Sequence, residues 1–215
     1  MRHDNQATPL QEVRLVHWTN GLYWSGDSTQ RVLFLLNKYG HLQRQEARKL
    51  YNVYHFVNVD LATPWTLYEH VEPIDVTYDG NLRLRGAALG EHGGQQVELQ
   101  QAQVDRSKLP LWLVLNWQAS EPPKADYALS LRLRSAQGDQ VWQQDEQLLS
   151  FDGWHTSRWQ AGEASESMLT LGLPANLPAA DYQLVLIVYD QTTLTPTVQA
   201  GNWQPEVTLG TIQVH

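Results

Sequence analysis

The sequence predicts a mainly β protein: an antiparallel β-sandwich of about eight strands, preceded by a small βαβ-like α/β segment. Three observations carry that reading. Short apolar runs alternate with polar residues over most of residues 73–215, the period of a strand with one buried face. Turn signals such as Asp79-Gly80, Gly93-Gly94 and Gly138-Asp139 separate those runs at near-regular intervals. Ahead of them, a strand pattern, a helix pattern and a second strand pattern follow one another within residues 1–72. The expected division is therefore an α/β segment over residues 1–72 and an immunoglobulin-like or jelly-roll-like sandwich over residues 73–215.

Taken in order, residues 1–12 are polar and read as a frayed end. Residues 12–19 (EVRLVHWT) place Val13 and Leu15 on one face and read as a strand. A helix is expected from Thr29, capped by Asp27 or Ser28, because Val32, Leu33, Leu35, Leu36 and Tyr39 recur at helical spacing. Gly40 is its expected stop. The charged stretch 43–49 reads as an exposed turn or short helix. Residues 51–60 (YNVYHFVNVD) alternate again, and strand, helix, strand implies parallel pairing. Pro64 and Pro73 mark residues 61–75 as a connector. Strands then follow over 81–89, 95–104, 111–118, 127–135, 140–146, 167–173, 182–190 and 207–214. The body is expected to be antiparallel throughout. In 111–118 both odd and even positions are apolar, so at least one of Trp112 and Trp117 belongs to the core.

Composition removes several function classes. The 215 residues carry a formal net charge of -8, which leaves no excess of cations for nucleic acid or for an anionic membrane surface. There are 0 cysteines, hence no thiolate metal site, thiol nucleophile or disulfide. No apolar run approaches the roughly 18 residues that span a bilayer. The opening MRHDNQATPL lacks the apolar stretch of a signal peptide, so the chain taken alone is expected to be soluble.

Catalytic signatures are sparse. The 8 histidines form no His-Glu-x-x-His or other paired zinc spacing. No Walker loop, dinucleotide fingerprint or Gly-x-Ser-x-Gly elbow is present. The segment from Gly21 to Gly26 sits where a phosphate loop would, but Tyr23 and Trp24 within it favour a packed connector. Asp145, Glu146, Asp152, Glu163 and Glu166 gather between two strands, and a carbohydrate-active hydrolase using Asp145, Asp152 or Glu163 is the alternative they suggest. Solvated loop charge is the simpler reading. No cofactor and no metal is expected.

Aromatics are the strongest candidates for a binding surface. The chain holds 9 Trp against 3 Phe. Trp142, Trp154, Trp159, Tyr189 and Trp203, with Asp152 beside them, lie near turns or on strands with polar neighbours. A flat ring next to Asp, Asn or Gln is how a sandwich holds a sugar: the ring face stacks, the polar edges meet hydroxyls.

The second half of the chain carries an ordered set of signposts: Leu115/Trp117, Pro122/Pro123, Asp126/Tyr127, Gln144/Asp145, Thr156/Trp159/Gly162/Glu163, Leu173/Pro174, Tyr182/Leu184 and Tyr189/Asp190. That order resembles the C-terminal extracytoplasmic region of bacterial membrane glycosyltransferases of the dolichyl-phosphate-mannose–protein mannosyltransferase-like superfamily. RLVHWT, QRVLFLLNKYG and YNVYHFVNVD match the preceding strand, helix and strand more loosely, so the resemblance covers nearly the whole chain. Ala180 departs from it, standing where the pattern has Gly. The resemblance implies a non-catalytic accessory module outside a bacterial membrane. Its partners would be the membrane-embedded portion of the same polypeptide and a glycan or glycosylation acceptor. The implied chemistry belongs to membrane helices and a loop that this chain lacks. A purely structural role is the remaining alternative.

Overall fold

The computed structural model describes residues 10–18, 30–60, 64–199 and 204–215. Among these residues thirteen strands form three sheets, accompanied by one α-helix. The mainly β, sandwich-like architecture expected from the sequence is what the chain adopts.

The first unit contains β1 (Leu10–Trp18), α1 (Arg31–Tyr39), β2 (His41–Ala47) and β3 (Tyr51–Val59). Its sheet has the order β1-β3-β2, and β3 is antiparallel to both neighbours. The expected parallel pairing of the strands at 12–19 and 51–60 is therefore corrected. A βαβ crossover does exist, but it runs from β1 through α1 to β2, with β3 inserted between the two. The strand that closes it lies in the stretch read as a turn or short helix. β2 is almost wholly exposed and polar, so it has no apolar alternation to betray it. Its partner and the turn bond from Arg48 N–H to Tyr51 O specify it instead. The expected caps Asp27 and Ser28 lie outside the described residues. α1 opens after Gln30 and ends at Gly40, whose N–H donates to Leu36 O.

The sandwich is built from two sheets. One has the order β11-β8-β5-β4, made of β4 (Glu72–Tyr78), β5 (Leu82–Gly90), β8 (Leu111–Ala119) and β11 (Ala164–Leu171). The short β6 (Gln96–Val97) pairs with β5. The other has the order β10-β9-β12-β13-β7, made of β7 (Gln101–Val104), β9 (Tyr127–Ser135), β10 (Gln140–Gln147), β12 (Asp181–Asp190) and β13 (Glu206–Val214). Three details depart from expectation. The strand read over 95–104 is two short ones, β6 and β7, one in each sheet, so the chain changes layer there. β7 and β13 pair in parallel, so the body is not antiparallel throughout. β4 begins at Glu72 and includes Pro73, within the expected connector. An edge strand tolerates Pro because one side of its backbone needs no ladder partner.

The inner faces form the main core, with Leu84, Leu115, Leu131, Leu186 and Ile212 among its members. Trp112 and Trp117 are both buried, but in different places. Trp117 faces the main core, whereas Trp112 faces out into a second cluster with Phe34, Leu67, Ala88 and Val114. α1 supplies that cover. Its Phe34 packs on the sandwich sheet, while Leu36 packs with Phe56 and Val59 of the small sheet. Trp112 lies so close to Gly90 that any Cβ there would overlap its ring. The Lys38 ammonium sits over the indole, 3.7 Å from its ring centre.

Candidate functional site

The outer face of the β11-β8-β5-β4 sheet changes character along its length. On β8, the outward residues Trp112 and Val114 are apolar and covered by α1. The next outward residues are Asn116 and Gln118, both half-buried and polar. They lie in a pocket of about 380 Å³ with Arg85, Phe151, Ser165 and Glu166 on its walls. That volume is in the range of small-ligand sites.

Each wall has a local cause. Arg85 is the extra residue of a β-bulge: β5 pairs Leu84 with Trp117 and Gly86 with Asn116, leaving Arg85 between them. A bulge turns its side chain out of the regular pleat, and the Arg85 guanidinium donates to Gln118 Oε1 at 2.5 Å. Gly86 permits the bulge, since a Cβ there would lie 2.5 Å from Glu72 O. Glu166 accepts a 2.7 Å hydrogen bond from the Tyr68 hydroxyl. Burial, and next that bond to Glu166, raise the Tyr68 phenol above its ordinary value. Asn116 Nδ2 donates weakly to the same hydroxyl at 3.5 Å, while Asn116 Oδ1 is buried without a partner. An unpaired buried acceptor costs about 1–3 kcal/mol. Phe151 is 52% exposed and forms the aromatic wall.

The aromatic candidates read from the sequence do not converge on one point. Trp159 is 0% exposed, part of the main core, and its indole N–H donates to Trp154 O at 3.1 Å. A ring with no accessible face stacks on nothing from solvent, so its assignment as a ligand-binding residue is corrected. Trp142 packs against the rim of the core and donates to Gly172 O at 3.1 Å, tying the β10 edge to the end of β11. Trp154 is 46% exposed, with the Arg158 guanidinium 4.7 Å from its ring centre. Asp152 is exposed in the same turn. Tyr189 is half-buried on β12; burial, followed by the Asp145 carboxylate, raises its phenol. Trp203 lies outside the described residues.

The carboxylates of the hydrolase alternative also occupy separate settings. Asp145 accepts from Gln143 Nε2 on β10, and Glu163 accepts from Gln160 N–H in the turn before β11. Among the described residues no group of three or more side chains is arranged to hold a metal ion, and no helix is long and apolar enough to cross a membrane.

Sequence reasoning missed Phe151, Arg85, Asn116, Gln118 and Glu166 as a group. A usable signal existed in β8. Once its odd positions are placed inward, the even ones change from Trp and Val to Asn and Gln.

No family model matches the sequence, and no curated protein matches it. Among solved structures, the chain is similar to the C-terminal domain of wzt, with 12% identity and a TM-score of 0.44 over 73% of this chain and 89% of that one. It is also similar to part of an endonuclease/exonuclease/phosphatase from Beutenbergia cavernae, with 9% identity, TM-score 0.29, and coverage of 80% of this chain and 35% of that one. A third similarity is to part of a calcium-binding mutant of Bacteroides uniformis beta-glucuronidase 2, with 14% identity, TM-score 0.32, and coverage of 72% and 19% respectively.

Proposed function

We propose that this chain is a non-catalytic module that holds a sugar ring of a glycan or glycosylation acceptor in the pocket on the outer sheet face. In this reading it is carried on the extracytoplasmic side of a bacterial membrane by a glycosyltransferase-like protein whose membrane-embedded portion does the chemistry. The motif order noted in the sequence supports that setting.

One observation carries the binding role: the amides of Asn116 and Gln118, the Arg85 guanidinium and the exposed Phe151 ring line one pocket. The Asn116 side chain on the pocket wall meets a sugar hydroxyl. The apolar face of the sugar ring covers Phe151, and the guanidinium and the amide of Gln118 reach the remaining hydroxyls. Glu166, already engaged by Tyr68, orients a ligand hydroxyl.

Calorimetry with a panel of neutral hexose oligosaccharides tests the proposal. Asn116→Ala and Phe151→Ala each weaken the bound oligosaccharide by about tenfold, equivalent to roughly 1.4 kcal/mol. Trp142→Phe, which keeps an aromatic ring at the sandwich rim, leaves it unchanged. Equal affinity in wild type and both pocket variants would remove the sugar-binding role.

A further inference from the structure

We propose a second binding site, which shares only Glu166 with the pocket above: the free edge of β11, which takes an extended peptide of a partner protein as an added strand. β11 ends its sheet, with β8 on one side and, among the described residues, no strand on the other. Beside that edge runs a cleft of about 340 Å³ between α1 and β10. The cleft touches five consecutive residues of β11, from Glu166 to Thr170. Successive side chains of a strand point to opposite faces, so contact with all five means that the backbone edge itself forms the floor.

The hydrogen-bond phase shows which groups face it. Ala119 N–H donates to Glu163 O at 2.8 Å, and the register continues without a shift from Ala164↔Gln118 to Leu171↔Leu111. In an antiparallel ladder only alternate residues exchange these bonds. Ser165, Ser167 and Leu169 are therefore spent on β8, while Glu166, Met168 and Thr170 aim their N–H and C=O into the cleft. Among the described residues those groups meet no hydrogen-bond partner. A peptide strand lying there gains bonds at alternate positions over about 14 Å.

The walls specify its side chains. An added strand continues the pleat of β11, so alternate side chains turn toward α1 and toward β10. The α1 side offers Leu33 and Phe34; the β10 side offers Gln144 and Glu146. Glu166 adds a second carboxylate, and the chain as a whole carries a net charge of -8. The occupant is accordingly a segment that alternates apolar and basic residues.

The probe is a fluorescein-labelled heptapeptide of alternating Lys and Val, titrated by anisotropy against the full chain. The same peptide N-methylated at alternate residues binds at least tenfold more weakly, because it cannot join the ladder. Thr170→Pro removes one outward N–H while sparing the bonds to β8, and it weakens the unmodified peptide severalfold with an unchanged far-UV spectrum. Glu146→Gln, an exposed change with no demand on folding, weakens the Lys peptide and leaves a Gln-for-Lys version alone. Equal binding of the two peptides, or no binding at millimolar probe, overturns the proposal. A concentration-dependent dimer abolished by Thr170→Pro overturns it in favour of a second copy of this chain.

Discussion

The two halves of the outer face of the β11-β8-β5-β4 sheet share strands but not chemistry. One half presents Ala88, Trp112 and Val114 and is sealed by Phe34 of α1. The other presents Arg85, Asn116 and Gln118 and is open. Outward residues on this sheet are chosen by what lies above them. Where a helix covers the strands, burial favours bulk; where α1 does not reach, amides and a guanidinium stand over a pocket. Stability should therefore reside in the first half and ligand contact in the second, a contrast that substitutions can break.

Trp112→Ala carries the largest expected effect. It empties the site between Gly90, Lys38 and Phe34 and breaks the bond from its indole N–H to Glu91 O. A loss of about 3–5 kcal/mol is expected in urea unfolding. A loss below about 1 kcal/mol would mean that α1 does not depend on this contact.

Lys38 gives the next effect, and one that depends on pH. It is 2% exposed and donates to Thr66 O and Leu67 O at 3.0 and 2.9 Å. Desolvation pulls its ammonium down to about 8, opposed by the charge of Glu69. Because the folded value is depressed, the unfolded chain binds more protons between pH 8 and the ordinary lysine value. Stability therefore rises with pH across that window, by at most about 3 kcal/mol. Below pH 8 the cost of the buried charge is fully present. Lys38→Met flattens the profile; an identical slope in wild type and variant would place the titration elsewhere.

Asn116→Leu sharpens the contrast from the open half. It removes the unpartnered Oδ1 and adds apolar contact in the pocket, so stability changes by less than about 1 kcal/mol, with gain the favoured sign. Thermal unfolding measures this. A large destabilisation would show that the weak bond to Tyr68 holds the sheet face together, and that the open half is structural too.

Legibility of the chain divides along similar physical lines. β9, β12 and β13 were readable because each buries one face or both and carries the apolar period that burial demands. β2 was not, because a polar edge strand buries too little to leave a pattern. Trp112 and Trp117 showed the limit within a single strand. A run apolar at every position announces two covered faces, but it does not say that one cover is a sheet and the other a helix. The site was less legible than the fold. Trp159 looked like a surface ring because it sits in a Gly-rich turn, yet it folds back into the core. Phe151, eight residues earlier in the same stretch, is exposed, as is Trp154 between them.

What the residues alone determined was the class of the fold, most strand positions and a net charge of -8, since periodicity and net charge are properties of the chain before it folds. Tertiary structure decided which aromatic rings reach solvent and where Arg85 points. It also decided which edge of a sheet is left unpaired. Those outcomes depend on cover supplied by segments far away in the chain, and local sequence does not encode what will lie above it.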